Sequence, residues 1–440
     1  MDPRRALAIG WMNLPDEGYR PWRELRYRQP TPGMGFVGTG DQATGTPVTL
    51  THEEWWLVLR RARQAQARSI PLLTDAAGRP FSFVLTDDVL RQADQVTALL
   101  KGDIGIGGEV LGSAARDRYL VRSLEEEAIT SSQLEGAITT RQVAKEMLRE
   151  RRAPRNVSER MILNNYLAMQ YVREVHTQPL TPELVRQIHR IVTEGTLDDP
   201  GDAGRVQRPD EPRVGVFAEH DEALLFAPPP ADQLEHRLVA LCRFANGVDD
   251  GPYLPGVLRA LVVHFMMGYN HFFVDGNGRT ARSLFYWSML HEGYWLTEYV
   301  TISAILRRAR VKYGMSFLDV ETDGGDLTYF FTYHLPVLRR AIADLDAYIK
   351  RMTSELSAAR RRLDPATGEF TLRQIALLDA ALKNRARTWT AQAVAHQFAV
   401  TIQTAHSDLD DLVSRGWLQR RREGRHFVWS STDTLTELVA

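Results

Sequence analysis

The chain has one cysteine, Cys242, among 440 residues. No disulfide can close within it, and a reducing compartment is the natural setting. No run of eighteen apolar residues occurs, so no transmembrane helix is expected. No charge sign dominates, because 54 Lys and Arg balance 55 Asp and Glu. The balance gives no compositional hint of a nucleic-acid or membrane partner. The segment from Met1 to Glu17 is too short and too interrupted for a signal peptide, and a cytoplasmic protein is expected. No H-E-x-x-H and no Walker loop is present, which excludes the familiar zinc-protease and P-loop signatures. Gly33, Gly35 and Gly38 match G-x-G-x-x-G in form only, since they follow Pro32 and no strand or helix flanks them.

What is present is mostly helical periodicity. Residues 1 to about 47 are rich in Pro, Gly and Arg and read as an extended arm. A helical pattern starts near Thr51. Further helices are expected over Asp87–Leu100, with Val89, Leu90, Val96 and Leu99 on one face, and over Arg116–Ser132, Thr140–Glu150 and Glu159–His176. Thr181-Pro182-Glu183 marks another start. Arg213-Val214-Gly215-Val216-Phe217 and Leu224-Leu225-Phe226 suit a small hairpin. Helices resume over Ala231–Asn246, Gly256–Tyr269, Thr280–Leu290, Ile302–Phe317 and Leu327–Leu356. After a linker at Arg360–Gly368 come three short helices and two strands turning at Glu423-Gly424. The fold class is therefore mainly α.

The chemistry concentrates in His271-Phe272-Phe273-Val274-Asp275-Gly276-Asn277-Gly278-Arg279-Thr280-Ala281-Arg282, a tight loop between two apolar helices. Gly276 and Gly278 let backbone N–H groups converge on an anion, and Asn277 adds an amide donor. The following helix N-terminus also favours phosphate. Arg279 and Arg282 lie three apart, where both can reach phosphate oxygens. Asp275 is a hard oxygen ligand for a phosphate-bridging magnesium ion, and His271 is a candidate general base. A calcium loop fails because Arg279 and Tyr286 occupy ligand positions. A Gly-rich loop between helices can also be only a turn.

The segment resembles the Fic family signature H-x-F-x-[DE]-G-N-G-R-x-x-R at all eight fixed positions, with Phe272 where many members carry proline. The resemblance implies a Fic-type helical bundle at 116–358, after an N-terminal arm and helical region at 1–115. It implies a protein adenylyltransferase that uses ATP and Mg2+ to join AMP to a Ser, Thr or Tyr hydroxyl. His271 would be the base, and Asp275 would hold the metal. Gly276, Asn277 and Gly278 would form the anion hole, with Arg279 and Arg282 on phosphates and Phe273 as a core anchor. The hairpin at 213–226 is similar to the family's flap, which docks a target strand, though it also reads as an ordinary surface hairpin. Ser131 to Gly136 resembles the family's inhibitory motif [ST]-x-x-x-E-[GN], which sends Glu135 to Arg282. Gly136 is read as leaving room for close approach. His264 is read as structural.

Residues 369–440 resemble a winged helix-turn-helix, with Thr401–Arg415 as recognition helix and a basic wing carrying Arg420, Arg421, Arg422, Arg425 and His426. Asp408, Asp410 and Asp411 weigh against DNA, and protein docking stays open. For the whole chain, removal of AMP, transfer of another phosphate-linked group, and a DNA-binding regulator with a nucleotide-sensing core remain alternatives.

Overall fold

The computed structural model describes residues 60, 63–102, 113–217, 224–248, 251–362, 370–383, 387–398, 400–423 and 426–432. The expected arm at 1–47, the G-x-G-x-x-G stretch and the 363–368 part of the linker lie outside them. The protein is mainly helical with small antiparallel sheets. No described helix is long and apolar enough to cross a membrane.

The chain divides into two compact units. The first contains the described residues up to Lys101 and Leu124–Ala341. It opens with a hairpin absent from the sequence reading, β1 (Arg68–Thr74) and β2 (Pro80–Phe83). Pro71 and the short strands mask its period, but Gly78 at φ 80° makes the turn. Phe81 sets its ring edge against Phe265 and Tyr269. Arg237 donates to the Thr74 and Asp75 carbonyls at 2.6 and 2.7 Å. These residues, expected in a separate N-terminal region, therefore belong to the main body.

Helix α1 (Asp87–Lys101) buries Val89, Gln92, Ala93, Val96 and Leu100. Leu90 and Leu99, expected on the inner face, are exposed, because the contacting stripe is rotated toward Gln92 and Leu100. Helices α2 (Ser113–Leu134), α3 (Arg141–Glu150), α4 (Val157–Val175) and α5 (Pro182–Thr193) follow. Thr140, Asn156 and Thr181 accept backbone N–H bonds as N-caps, and Pro182 stands in the first turn of α5. A small hairpin, β3 (Val216–Phe217) and β4 (Leu224–Phe226), precedes α6 (Leu234–Ala245). Next come α7 (Gly256–Asn270) and α8 (Asn277–His291), buried over nearly their whole circumference. Helices apolar all round belong at the centre of a body, and these two form the central hairpin whose tip is residues 271–276.

The single helix expected over Ile302–Phe317 is two, α9 (Ser303–Arg308) and α10 (Arg310–Thr322). Ala309, at φ −131° and ψ 42°, breaks the ladder between them. Nothing in the local sequence marks that break. Helix α11 spans Thr328–Arg362.

The second unit holds residues 102–123 and 342–440. Tyr119 stacks on Tyr348 at 4.3 Å. Its C-terminal part contains α12 (Leu372–Lys383), β5 (Thr388–Trp389), α13 (Ala391–Phe398), α14 (Ile402–Ser414), β6 (Leu418–Glu423) and β7 (His426–Ser431). The sheet order is β5-β7-β6, and all neighbours are antiparallel. Leu377, Leu378, Val394, Leu409, Leu412 and Trp429 lie in its own apolar core.

The end of α2 sets the position of Glu135. Ala137 donates its N–H to the Ser132 carbonyl at 3.1 Å and Gly136 to that of Gln133 at 3.3 Å, the two bonds of a Schellman motif. Gly136 has φ 94°, and a methyl group there would meet nothing within 4 Å. The glycine therefore supplies a left-handed conformation, not the room for close approach that the motif suggested. Gly136→Ala should destabilise the fold by about 1 kcal/mol through backbone strain alone. Thermal unfolding measures this, and an unchanged midpoint would contradict it.

Candidate active site

The loop at the tip of α7 and α8 begins with a left-handed residue. His271 caps α7 at φ 48°, and its N–H donates to the Met267 carbonyl at 3.3 Å. Its Nδ1 lies 3.3 Å from the Gly268 carbonyl. A carbonyl only accepts, so Nδ1 carries the proton and Nε2 keeps the basic lone pair. Burial lowers the His271 pKa and outweighs the opposing bond to Gly268.

Phe272 and Phe273 are fully buried and anchor the turn. Asn277 clasps it: Oδ1 accepts from the Phe273 N–H at 3.0 Å, and Nδ2 donates to the Phe273 carbonyl at 2.7 Å. The expected amide donor to an anion is thus engaged inside the loop. Gly276 starts α8 at φ 77°, and a methyl group there would fall 2.5 Å from Thr193 Cγ2. Both conformation and space require glycine at this position. Thr280 Oγ1 and N–H both bond the Gly276 carbonyl, at 2.9 and 3.0 Å.

The two arginines have different surroundings. Arg279 is buried and donates to the Val192 carbonyl at 2.7 Å and to Asp275 Oδ2 at 3.2 Å. Its guanidinium braces the loop against α5 instead of standing beside Arg282 for phosphate. Arg282 is also buried, and donates through Nε to Ser131 Oγ at 2.7 Å. Its Nη2 reaches the Ser131 carbonyl at 3.0 Å and Glu135 Oε1 at 2.8 Å. Serine and glutamate therefore share the guanidinium. Burial pushes the Glu135 carboxyl up, but Arg282 holds it below the usual carboxylate range. For Arg282, burial opposes the charge, and Glu135 more than restores it.

The Glu135 carboxylate lies directly over Gly278, where any β-carbon would overlap it. Gly278, not Gly136, is the glycine that permits the approach. A carboxylate thus rests on the loop surface at the N-terminus of α8, where an anion is favoured. Asp275 projects outward, with its side chain 58% exposed, and can offer oxygen to a metal ion.

Sequence reading missed two supporting residues. His189 of α5 accepts the Gly204 N–H on Nδ1 at 2.8 Å, so Nε2 bears the proton and donates to the Asp275 carbonyl at 2.8 Å. Its ring stacks on Phe273 at 3.7 Å. Burial depresses its pKa to about 4 and keeps it neutral. The available signal was a lone histidine on the apolar face of an amphipathic helix. Glu127 accepts from the N–H of Ser303 at 3.1 Å and from its hydroxyl. Glu127, Ser131 and Glu135 recur every four residues, so one face of α2 presents all three. The Glu127 bond to Ser303 helps set the rotation that aims the other two at Arg282. His264 is buried among aromatic rings and bonds the Tyr313 hydroxyl at 2.9 Å.

Residues 179–289 match the model of the Fic/DOC family. The chain carries a Fic/DOC domain. The matched span runs from the start of α5 nearly to the end of α8, and so includes the loop and its α5 platform. A Fic family protein from Desulfovibrio desulfuricans G20 shares the fold, at 15% identity and a TM-score of 0.53, over 80% of this chain and 97% of that one. A Fic domain containing signaling protein from Bacteroides thetaiotaomicron VPI-5482 aligns at 20% identity and a TM-score of 0.47, over 59% of this chain and 98% of that one. Fic-1 (residues 134–508) from C. elegans aligns at 18% and 0.47, over 61% and 73%.

In this Fic/DOC domain the hairpin at 213–226 has one described residue with a role unlike target docking. Arg213 is expected in the flap, but its guanidinium donates to the carbonyls of Pro229, Asn270 and His271 at 2.8, 2.8 and 3.1 Å, and to the Gln207 side chain. It staples both legs of the hairpin to the entrance of the loop at 271–276. Val214 and Gly215 are half-buried beside it, and Val216 and Phe217 pair with β4. Arg213→Gln should lower stability by roughly 2 kcal/mol, since hydrogen bonds from a charged donor are worth about 1.5–3 kcal/mol each. It should also speed amide exchange over residues 270–276. Arg213→Lys should recover little, because one ammonium cannot span three carbonyls. Wild-type stability and exchange in Arg213→Gln would remove the staple.

Proposed function

We propose that the chain is a protein adenylyltransferase that moves AMP from ATP to a Ser, Thr or Tyr hydroxyl of a protein and is restrained by Glu135. The match to the Fic/DOC model supports a transferase role. The observation that carries the finer reading is one helix N-terminus lined by a histidine base and a buried arginine, with an internal carboxylate resting on it.

ATP fits the donor set by its charge. The backbone at Gly278, once Glu135 withdraws, and the positive end of α8 suit phosphate oxygens. Arg282, once parted from Glu135, has a charged donor to offer the γ-phosphate. Among the described residues, no group of three or more His, Cys, Asp or Glu could hold a metal ion. A single carboxylate is nevertheless enough for magnesium when substrate phosphates and water complete the shell, and Asp275 would hold it. Such an ion would neutralise phosphate charge.

His271 Nε2 would take the proton of the target hydroxyl. The oxygen would then bond to the α-phosphorus as the bond to pyrophosphate breaks, leaving AMP on the target and the proton on His271. Glu135 restrains the step in two ways. It occupies Arg282, and it covers Gly278, so the phosphate chain cannot settle in the geometry for attack.

His271→Ala should lower transfer by about a hundred- to ten-thousand-fold while leaving ATP binding nearly intact. Labelling near the wild-type rate would exclude His271 as base. In the wild type the base works when neutral, and burial holds its pKa below the ordinary imidazole value of about 6.5. The rate should fall as pH drops, with its falling limb centred below the ordinary imidazole value. A falling limb centred above about 6.5 would contradict the assignment.

Glu135→Gly should raise labelling of protein by ATP by about a hundredfold, the scale of a misplaced reacting group. The double variant with His271→Ala should be silent. A folded Glu135→Gly protein that binds ATP and labels no faster than wild type would refute restraint. Loss of an AMP-removing activity in that variant would instead assign Glu135 to orienting water for de-modification.

A further inference from the structure

Residues 370–432 differ in charge from the rest of the protein. Lys and Arg outnumber Asp and Glu there by nine to five, while the chain as a whole is balanced. The acids on α14 that would repel a polyanion have partners within the module. Asp408 pairs with Arg373 at 2.7 Å. Asp410 pairs with Arg420 and His406, both at 3.2 Å, and accepts the Trp429 indole N–H at 3.2 Å. Asp411 pairs with Arg415 at 3.0 Å and accepts from Gln374 at 2.7 Å. The bonds of Asp410 to Arg420 and Trp429 also dock α14 on β6 and β7.

The exposed surface is polar and basic. Arg421 and Arg422 are exposed on β6. Thr401, Gln403 and Ser407 are exposed on the first turns of α14, whose N-cap is Thr401. Large apolar side chains are mostly withdrawn into the core. Of the exceptions, Phe427 lies under the Arg420 guanidinium at 4.7 Å, and Ile402 stands on the first turn of α14. A protein-docking face would be expected to present an apolar centre, and among the described residues of the module the exposed large apolar side chains are only Ile402 and Phe427.

We infer that this module binds duplex DNA, with α14 entering the major groove by its first turns and Arg421 and Arg422 contacting backbone phosphates. Helix α14 has 13 residues, about 20 Å at 1.5 Å each, and the B-form major groove accepts an α-helix. Gln403 can pair with adenine edges, and Ile402 can meet a thymine methyl. Duplex RNA is disfavoured, because its major groove is too deep and narrow for a helix. The inference is independent of the proposed transfer reaction.

The test uses the full chain and a fluorescent mixed-sequence DNA duplex of about 25 base pairs at several salt concentrations. Binding should be clear at low salt and should weaken as salt rises. Replacing Arg421 and Arg422 together by Ala should weaken binding to every duplex and flatten the log–log salt slope by about two. The corresponding double Lys variant should retain most of the affinity, because phosphate needs only the charge. Gln403→Ala should weaken binding to some sequences more than others when the duplex is varied. Absence of binding at low salt would overturn the inference. So would an unchanged slope in a double Ala variant whose thermal midpoint matches wild type, or equal affinity for a duplex RNA of the same length.

Discussion

The guanidinium of Arg282 is the group on which the loop at 271–276 and the end of α2 are organised. A cation taken out of water must keep its donors engaged, since an unpaired buried charge costs several kcal/mol. Arg282 meets this demand with Ser131 of α2 and Glu135 just past its end. The pairing holds the end of α2 against the loop at 271–276 and brings the Glu135 carboxylate over Gly278. Under the proposed reaction, a nucleotide phosphate would take over the same donor. The two states then differ by an exchange of anions, with no uncompensated charge in either, and so small an imbalance suits a contact that must release.

A second constraint is that the loop cannot shape itself. His271 and Gly276 both have left-handed backbones within six residues, and Asn277 closes the turn from inside. Around them, helix α5 supplies His189 to the Asp275 carbonyl, the Val192 carbonyl to Arg279, and the Thr193 methyl against Gly276. On the other side, Gln207 donates to the Phe272 carbonyl, and Arg213 holds those of Asn270 and His271. These bonds satisfy loop carbonyls that would otherwise be buried without partners. They leave the backbone at Gly278 and the Asp275 carboxylate facing outward. The polar residues of the signature thus divide into those that build the loop, Asn277 and Arg279, and those to which the proposed reaction gives a ligand, His271, Asp275 and Arg282.

Most helices were legible because their stripes and caps are local. Thr181 before Pro182 announced α5, and the short apolar run Leu224-Leu225-Phe226 announced a strand. The hairpin at 68–83 was not legible, because Pro71 interrupts a short strand whose stability comes from Phe265, Tyr269 and Arg237, distant in sequence. The break at Ala309 and the rotated face of α1 have the same origin. In each case a neighbouring element chose among local conformations of similar energy.

The sequence by itself singled out residues 271–282, because their types and spacing suit an anion through local geometry: glycines for the turn, a helix N-terminus, and a histidine at the entry. It also placed Glu135 at a helix end, because Gly136 imposes the left-handed residue that stops α2. Only the tertiary structure decided which glycine admits the carboxylate, which arginine faces it and which braces the loop, and that His189 and Arg213 hold the turn. Those outcomes depend on distances between residues far apart in the chain. Side chains with the same chemistry, such as Arg279 and Arg282, are separated in role only by what packing places within reach of their donors.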